Sequence, residues 1–188
     1  MTFFAVNIQT IPKQLSGQIL LADPSLRNEI FHKTVILLAD HSAEEGAFGL
    51  ILNRPTGQTV GELLTGGLFT NLADIAVHNG GPVGTDQLTF GAFWVRNDKL
   101  GFAMRISAEE AEAYSNQPNT LVRAFAGYSG WGKNQLEDEL KEEAWTVVSP
   151  TQSILSNPHD ITLWKQTMSD ISPYHRILAG APDEILAN

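Results

Sequence analysis

No cysteine occurs in this chain. That absence removes disulfides, thiolate nucleophiles, cysteine zinc sites and iron–sulfur clusters together, and it suits the cytoplasm. Long apolar runs are missing too. None approaches the roughly 20 residues that a membrane helix needs, and the longest, "TVILLA", has the length of a strand. No membrane association is expected. The N-terminus "MTFFAVNIQTIPKQL" lacks a basic stretch ahead of an extended apolar core, so a secretory signal is not expected. Positive charge is scarce and dispersed: 12 Lys and Arg stand against 21 Asp and Glu, for a net charge of -9, and no two basic residues are adjacent. Affinity for nucleic acid rests largely on phosphate electrostatics, so direct nucleic-acid binding is disfavoured.

Metal spacing is also lacking. The histidines His32, His41, His78, His159 and His175 contain no pair one helical turn apart. The nearest carboxylate–imidazole grouping, His41 with Glu44 and Glu45, reads as a solvated turn. Neighbouring acids such as Glu109/Glu110 and Glu142/Glu143 point apart on a helix or strand, so they form no acid–base pair. No metal site, cofactor or catalytic residue emerges.

What is present describes one globular unit. A chain of 188 residues, 43% of them apolar, suits a single domain over 1–188 with one sizeable core. Residues 1–15 are expected to form a loosely packed arm. Strands are predicted at "GQILLAD" (17–23), "KTVILLAD" (33–40) and "FGLILN" (48–53), the second covered on both faces because its apolar run is continuous. A short helix at 60–67 ends at two glycines, and a strand over 74–83 runs into a glycine turn. "LTFGAFWV" and "LGFAMRI" form a hairpin. Ser107 three residues before Glu110 gives a capping box for the next helix. "LVRAFA" (121–126) is a strand, 133–143 a helix and "WTVVSP" (145–150) a last strand. A helical tail follows, anchored by Leu163 and Trp164. Hairpins and helices interspersed without regular strand–helix alternation indicate an α+β fold.

The stretch "GYSGWGKN" (127–134) comes within one residue of a phosphate-binding loop, but Asn134 stands where the magnesium-ligating hydroxyl belongs. Glu137, Asp138 and Glu139 also place negative charge at the following helix start, against a bound anion. A nucleophile elbow at Ser129 is disfavoured by Trp131 in the final glycine position. The simpler expectation is a tight corner. Gly127, Gly130 and Gly132 would supply positive φ and Asn134 the left-handed position, with Tyr128 and Trp131 packing on the core. Two polar clusters remain, Asn53–Arg54 in "NRPTG" and Gly80–Gly81 in "HNGGPV". Together with Tyr128, Trp131 and Gln135 of the corner they are the ligand-binding candidates, since an arginine and a glycine turn can hold a carboxylate or phosphate. The competing expectation is that Arg54 pairs with a carboxylate and the glycines merely turn.

Taken in order, "PSLRNEIFHKTVILLADHSAEEGAFGLILNRPTG", "HNGGPV" and "RAFAGYSGWGKNQLEDEL", with a later tryptophan, resemble the YqgE/AlgH family of bacterial proteins. The resemblance spans the chain from about Gly17 to the C-terminal helix. That family has glycine at the position of Asn134 and often a residue other than lysine at 133, which further weakens the nucleotide reading. The resemblance implies an α+β single domain whose branched, mixed or antiparallel sheet includes a small closed barrel surrounded by helices, in a cytoplasmic bacterial protein. It carries a transcriptional-regulator label but no mechanism and no catalytic residues. The expected role is a non-enzymatic regulatory or interaction protein with an unnamed protein partner, acting only indirectly on transcription. The alternative is a small-molecule or anion-binding protein, or a weak hydrolase, using Asn53–Arg54, Gly80–Gly81 and the 127–135 loop.

Overall fold

Every side chain from Val35 to Leu38 is buried, as a continuous β-branched and leucine run requires of a strand sandwiched between two layers. The computed structural model describes residues 14–42, 44–64, 70–96, 99–152, 154 and 159–182. Most of the expected N-terminal arm and the glycine stop at 66–67 lie outside those residues, although Leu15, at the arm's end, is buried.

The elements run β1 (Ile19–Ala22), β2 (Val35–Ser42), β3 (Gly46–Ile51), β4 (Pro55–Thr59), α1 (Val60–Leu63), a 3-10 turn (Thr70–Leu72), β5 (Ala76–Asn79), β6 (Val83–Arg96) and β7 (Lys99–Ile106). They continue with α2 (Ala108–Ser115), β8 (Thr120–Trp131), α3 (Gln135–Lys141), β9 (Trp145–Val148), α4 (Ile161–Ile171) and α5 (Pro173–Gly180). The capping box forms as expected, with Ser107 Oγ accepting from Glu110 N and the Glu110 carboxylate accepting from Ser107 N. Leu163 and Trp164 are fully buried, and the Trp164 indole donates to Ala22 O at 2.9 Å, tying α4 to β1.

All nine strands among the described residues join one sheet, and β8 is where it forks. The first half of β8 lies between β5, which it pairs in parallel (Val77↔Ala124), and β6, which it pairs antiparallel (Ala92↔Val122). Its second half pairs antiparallel with β3 (Phe48↔Gly130), from which β2, β1 and β9 follow. The expected closed barrel is not formed: the sheet ends at β4, β7 and β9. The bend at Gly127 (φ +71°) sends the two halves of β8 to different partners, so the sheet branches instead of curling back on itself.

Three apolar clusters fill the layers. One lies between the sheet and the C-terminal helices, with Phe93, Phe125, Leu163 and Trp164. A second joins Leu20, Ile36 and Ile51 to Trp131, Leu136 and Trp145. A third sets Val77, Phe90 and Val122 against Ala111 of α2.

Candidate functional site

The fork is built from backbone packed on backbone. A β-carbon on Gly81 (φ +148°) would fall 2.2 Å from Tyr128 C, and one on Gly80 would fall 2.3 Å from Gly127 O. Gly80 N donates to Ala126 O, while Gly80 O accepts from both Ile51 N and Ser129 Oγ. These glycines therefore do more than turn the chain; they let three strands meet. Ser129 is fully buried inside β8, not raised on a strand-to-helix elbow.

The 127–134 corner differs from expectation in its geometry. Residues 127–131 continue β8, and of its glycines only Gly127 has positive φ; Gly130 and Gly132 do not. Pairing with β3 holds Gly130 extended, so no left-handed conformation is needed there. Asn134 is left-handed (φ 59°), as expected, and α3 starts two residues later than 133.

The polar candidates are committed to structure. Asn53, 1% exposed, accepts from Val35 N and donates to Lys33 O, both at 2.9 Å, bolting the end of β3 to the start of β2. Arg54 donates to the carbonyls of Asn53 and His32, and no carboxylate meets it among the described residues; burial lowers its pKa. Asn79 N donates to Arg54 O, which places the Asn53–Arg54 strand end beside the Gly80–Gly81 turn. Tyr128 tilts against Phe48, with ring centroids 4.9 Å apart. Alternation along β8 puts Tyr128 and Trp131 on opposite faces, and they pack with different clusters. Trp131 and Gln135 instead converge on Glu139: the indole donates to Oε2 and the Gln135 amide to Oε1.

His41 also departs from its expected solvated turn. It is buried, accepts from Leu15 N at Nδ1 and pairs through Nε2 with Glu137 of α3 at 2.9 Å, while Glu44 and Glu45 remain exposed. The acidic start of α3 is thus engaged on two sides: Glu137 with His41 and Glu139 with the tryptophans face the core, while Asp138 pairs with Lys141 on the exposed surface.

A cluster that sequence reasoning did not assemble lies on the face of β5 and β8 covered by α4. Alternation sets Leu121, Arg123 and Phe125 on one face of β8, and the parallel register His78↔Phe125 places His78 on that face. His159, just before the α4 N-cap Asp160, brings its ring to 5.9 Å from that of His78. Among the described residues neither imidazole Nδ1 has a hydrogen-bond partner, nor does Arg123 Nε. Burial, then the charges of His159 and Arg123, push the His78 pKa down to about 4, against a partial offset from the His159 and Ala76 backbone. Burial lowers His159 too, opposed chiefly by its contact with Ile154 O. The available signal was Arg123 itself, a charged residue in the buried phase of an apolar strand.

An open, forked mixed sheet flanked by helices defines an α+β single-domain protein. The chain belongs to the AlgH-like family, whose model matches residues 19–175. It is 36% identical to a UPF0301 protein of Streptomyces avermitilis over 90% of this chain and 93% of that one. A UPF0301 protein of Bacteroides fragilis is 32% identical over 82% of both. Its structure is similar to the AlgH protein of Pseudomonas aeruginosa (TM-score 0.64, 27% identity, 97% of this chain and 99% of that one). A Corynebacterium diphtheriae protein shares the fold (TM-score 0.71, 21% identity, 89% and 92% covered). Among the described residues no helix is long and apolar enough to cross a membrane.

Proposed function

We propose that this chain is a non-enzymatic regulatory or interaction protein, touching transcription only indirectly and working in the cytoplasm. One observation carries the reading. The polar side chains that the motifs offered for chemistry are taken up inside the fold: Asn53, Arg54 and Ser129 hold backbone, and Trp131 and Gln135 hold the Glu139 carboxylate. What the surface offers instead includes an apolar pair. Tyr174 and Ile177, 65% and 72% exposed, lie one turn apart on α5. The net charge of -9 argues against a phosphate backbone as the direct target.

A photo-crosslinking residue placed at Ile177, compared with one at exposed Gln58 on β4, tests this in cells. A discrete protein adduct from position 177 and none from 58 is the expected result; no adduct from 177 would overturn the reading. A mobility-shift assay with duplex DNA at low salt is expected to show no complex, and salt-sensitive binding there would reinstate direct DNA recognition.

A further inference from the structure

We propose that Arg123, His78 and His159 form a binding site for a small oxyanion, a carboxylate or phosphate group, held between the β5–β8 face and the start of α4. His78 and His159 are only 3% and 6% exposed, and each keeps a buried Nδ1 without a protein partner. Among the described residues the Arg123 guanidinium makes one hydrogen bond, from Nη1 to Val122 O at 3.2 Å, which leaves buried Nε unpartnered. Three orphaned polar atoms on three separate segments is a concentration that native interiors avoid unless something completes them.

The chemistry of the cluster selects the occupant. An arginine stays charged, and a half-buried guanidinium with no carboxylate is costly. Asp160 is the nearest acid on α4, but its Oδ1 already takes Thr162 N and Thr162 Oγ1 at 2.8 and 2.6 Å. Two imidazoles and a cation make a poor metal site, and no group of three or more His, Cys, Asp or Glu suited to a metal occurs among the described residues. One oxyanion meets every need at once. It accepts from the Nε edge of Arg123, whose planar fork suits two oxygens, and from Nδ1–H of each imidazole, which for His159 requires a second ring proton because its Nε2–H is given to Ile154 O. His78 is neutral at pH 7 because burial, His159 and Arg123 disfavour its charge, with Asp160 the acid facing His159. A bound anion reverses that balance, so binding takes up protons and strengthens as the pH falls.

The full chain tests this by histidine-ring NMR, titrated with sodium acetate and with sodium phosphate against sodium chloride at matched ionic strength. Saturable shifts of His78 and His159, with His32 and His175 unmoved, are expected. A response to acetate alone assigns a carboxylate, one to phosphate alone a phosphate, and a response to both the shared oxyanion chemistry. Arg123→Gln should weaken binding at least tenfold and Arg123→Lys less. Should the glutamine variant fail to fold, the wild-type titration decides alone. If neither anion moves the two rings beyond the chloride control, the site does not exist. This outcome is independent of the crosslinking result, because the cluster lies inside the fold and Ile177 on its surface.

Discussion

Trp131 and Trp145 donate their indole N–H groups to the same oxygen of Glu139, at 2.8 and 2.7 Å. Their rings meet edge to face with centroids 6.0 Å apart. One carboxylate on α3 thereby joins the end of β8 to the start of β9.

Glu139→Ala leaves both indoles without an acceptor, and each unsatisfied buried donor costs about 1–3 kcal/mol. A loss of about 3 kcal/mol in urea unfolding followed by tryptophan fluorescence is expected. Glu139→Gln keeps an accepting oxygen and should lose about 1 kcal/mol. Equal losses would show that the contact with α3 matters through packing alone.

The fork at the glycines is expected to tolerate no side chain. Gly57 also has positive φ (+80°) but open space around it, so Gly57→Ala carries only the left-handed penalty of about 1 kcal/mol. Gly81→Ala adds a collision with the Tyr128 backbone and should cost at least about 4 kcal/mol, enough to abolish folding in many domains. Thermal unfolding of the two variants separates strain from overlap.

Asn53→Asp replaces the donor to Lys33 O with a carboxylate oxygen facing that carbonyl. A loss of about 3 kcal/mol is expected at pH 7. The deficit should shrink on acidification, as the new carboxyl takes a proton and regains a donor.

Acid sensitivity should trace to His78. Its folded pKa of about 4 lies below the ordinary 6.5, so between those values the unfolded chain holds a proton that the folded chain refuses. Stability is then complete above about pH 6.5 and falls toward pH 4, by up to about 3 kcal/mol. His159 adds to the same trend. His78→Gln should flatten the dependence of the urea midpoint on pH in chloride buffer; an unchanged slope would place the proton uptake elsewhere.

Local chemistry made much of this legible beforehand. The buried run at Val35–Leu38, the Ser107–Glu110 cap and the Leu163–Trp164 anchor are each set by residues close in sequence. The corner at 127–134 misled because closely spaced glycines look like a bend, whereas pairing with β3 stretches most of it into strand. Polar partners were hidden for another reason. Glu137 meets His41, and His78 meets His159, only because distant elements stack. Arg123 was the exception, since its strand phase with Leu121 and Phe125 already placed a charge in the interior.

The order of the strands also governs how the chain is made. β3 acquires its second neighbour only when β8 arrives, and β1 only when β9 arrives. A nascent chain leaving the ribosome therefore carries β1 to β3 with a bare β3 edge until Trp131 has emerged and a bare β1 edge until Val148 has, through most of its synthesis. Such non-local pairing folds slowly and leaves unpaired strand backbone exposed meanwhile, the condition under which chains aggregate before they fold.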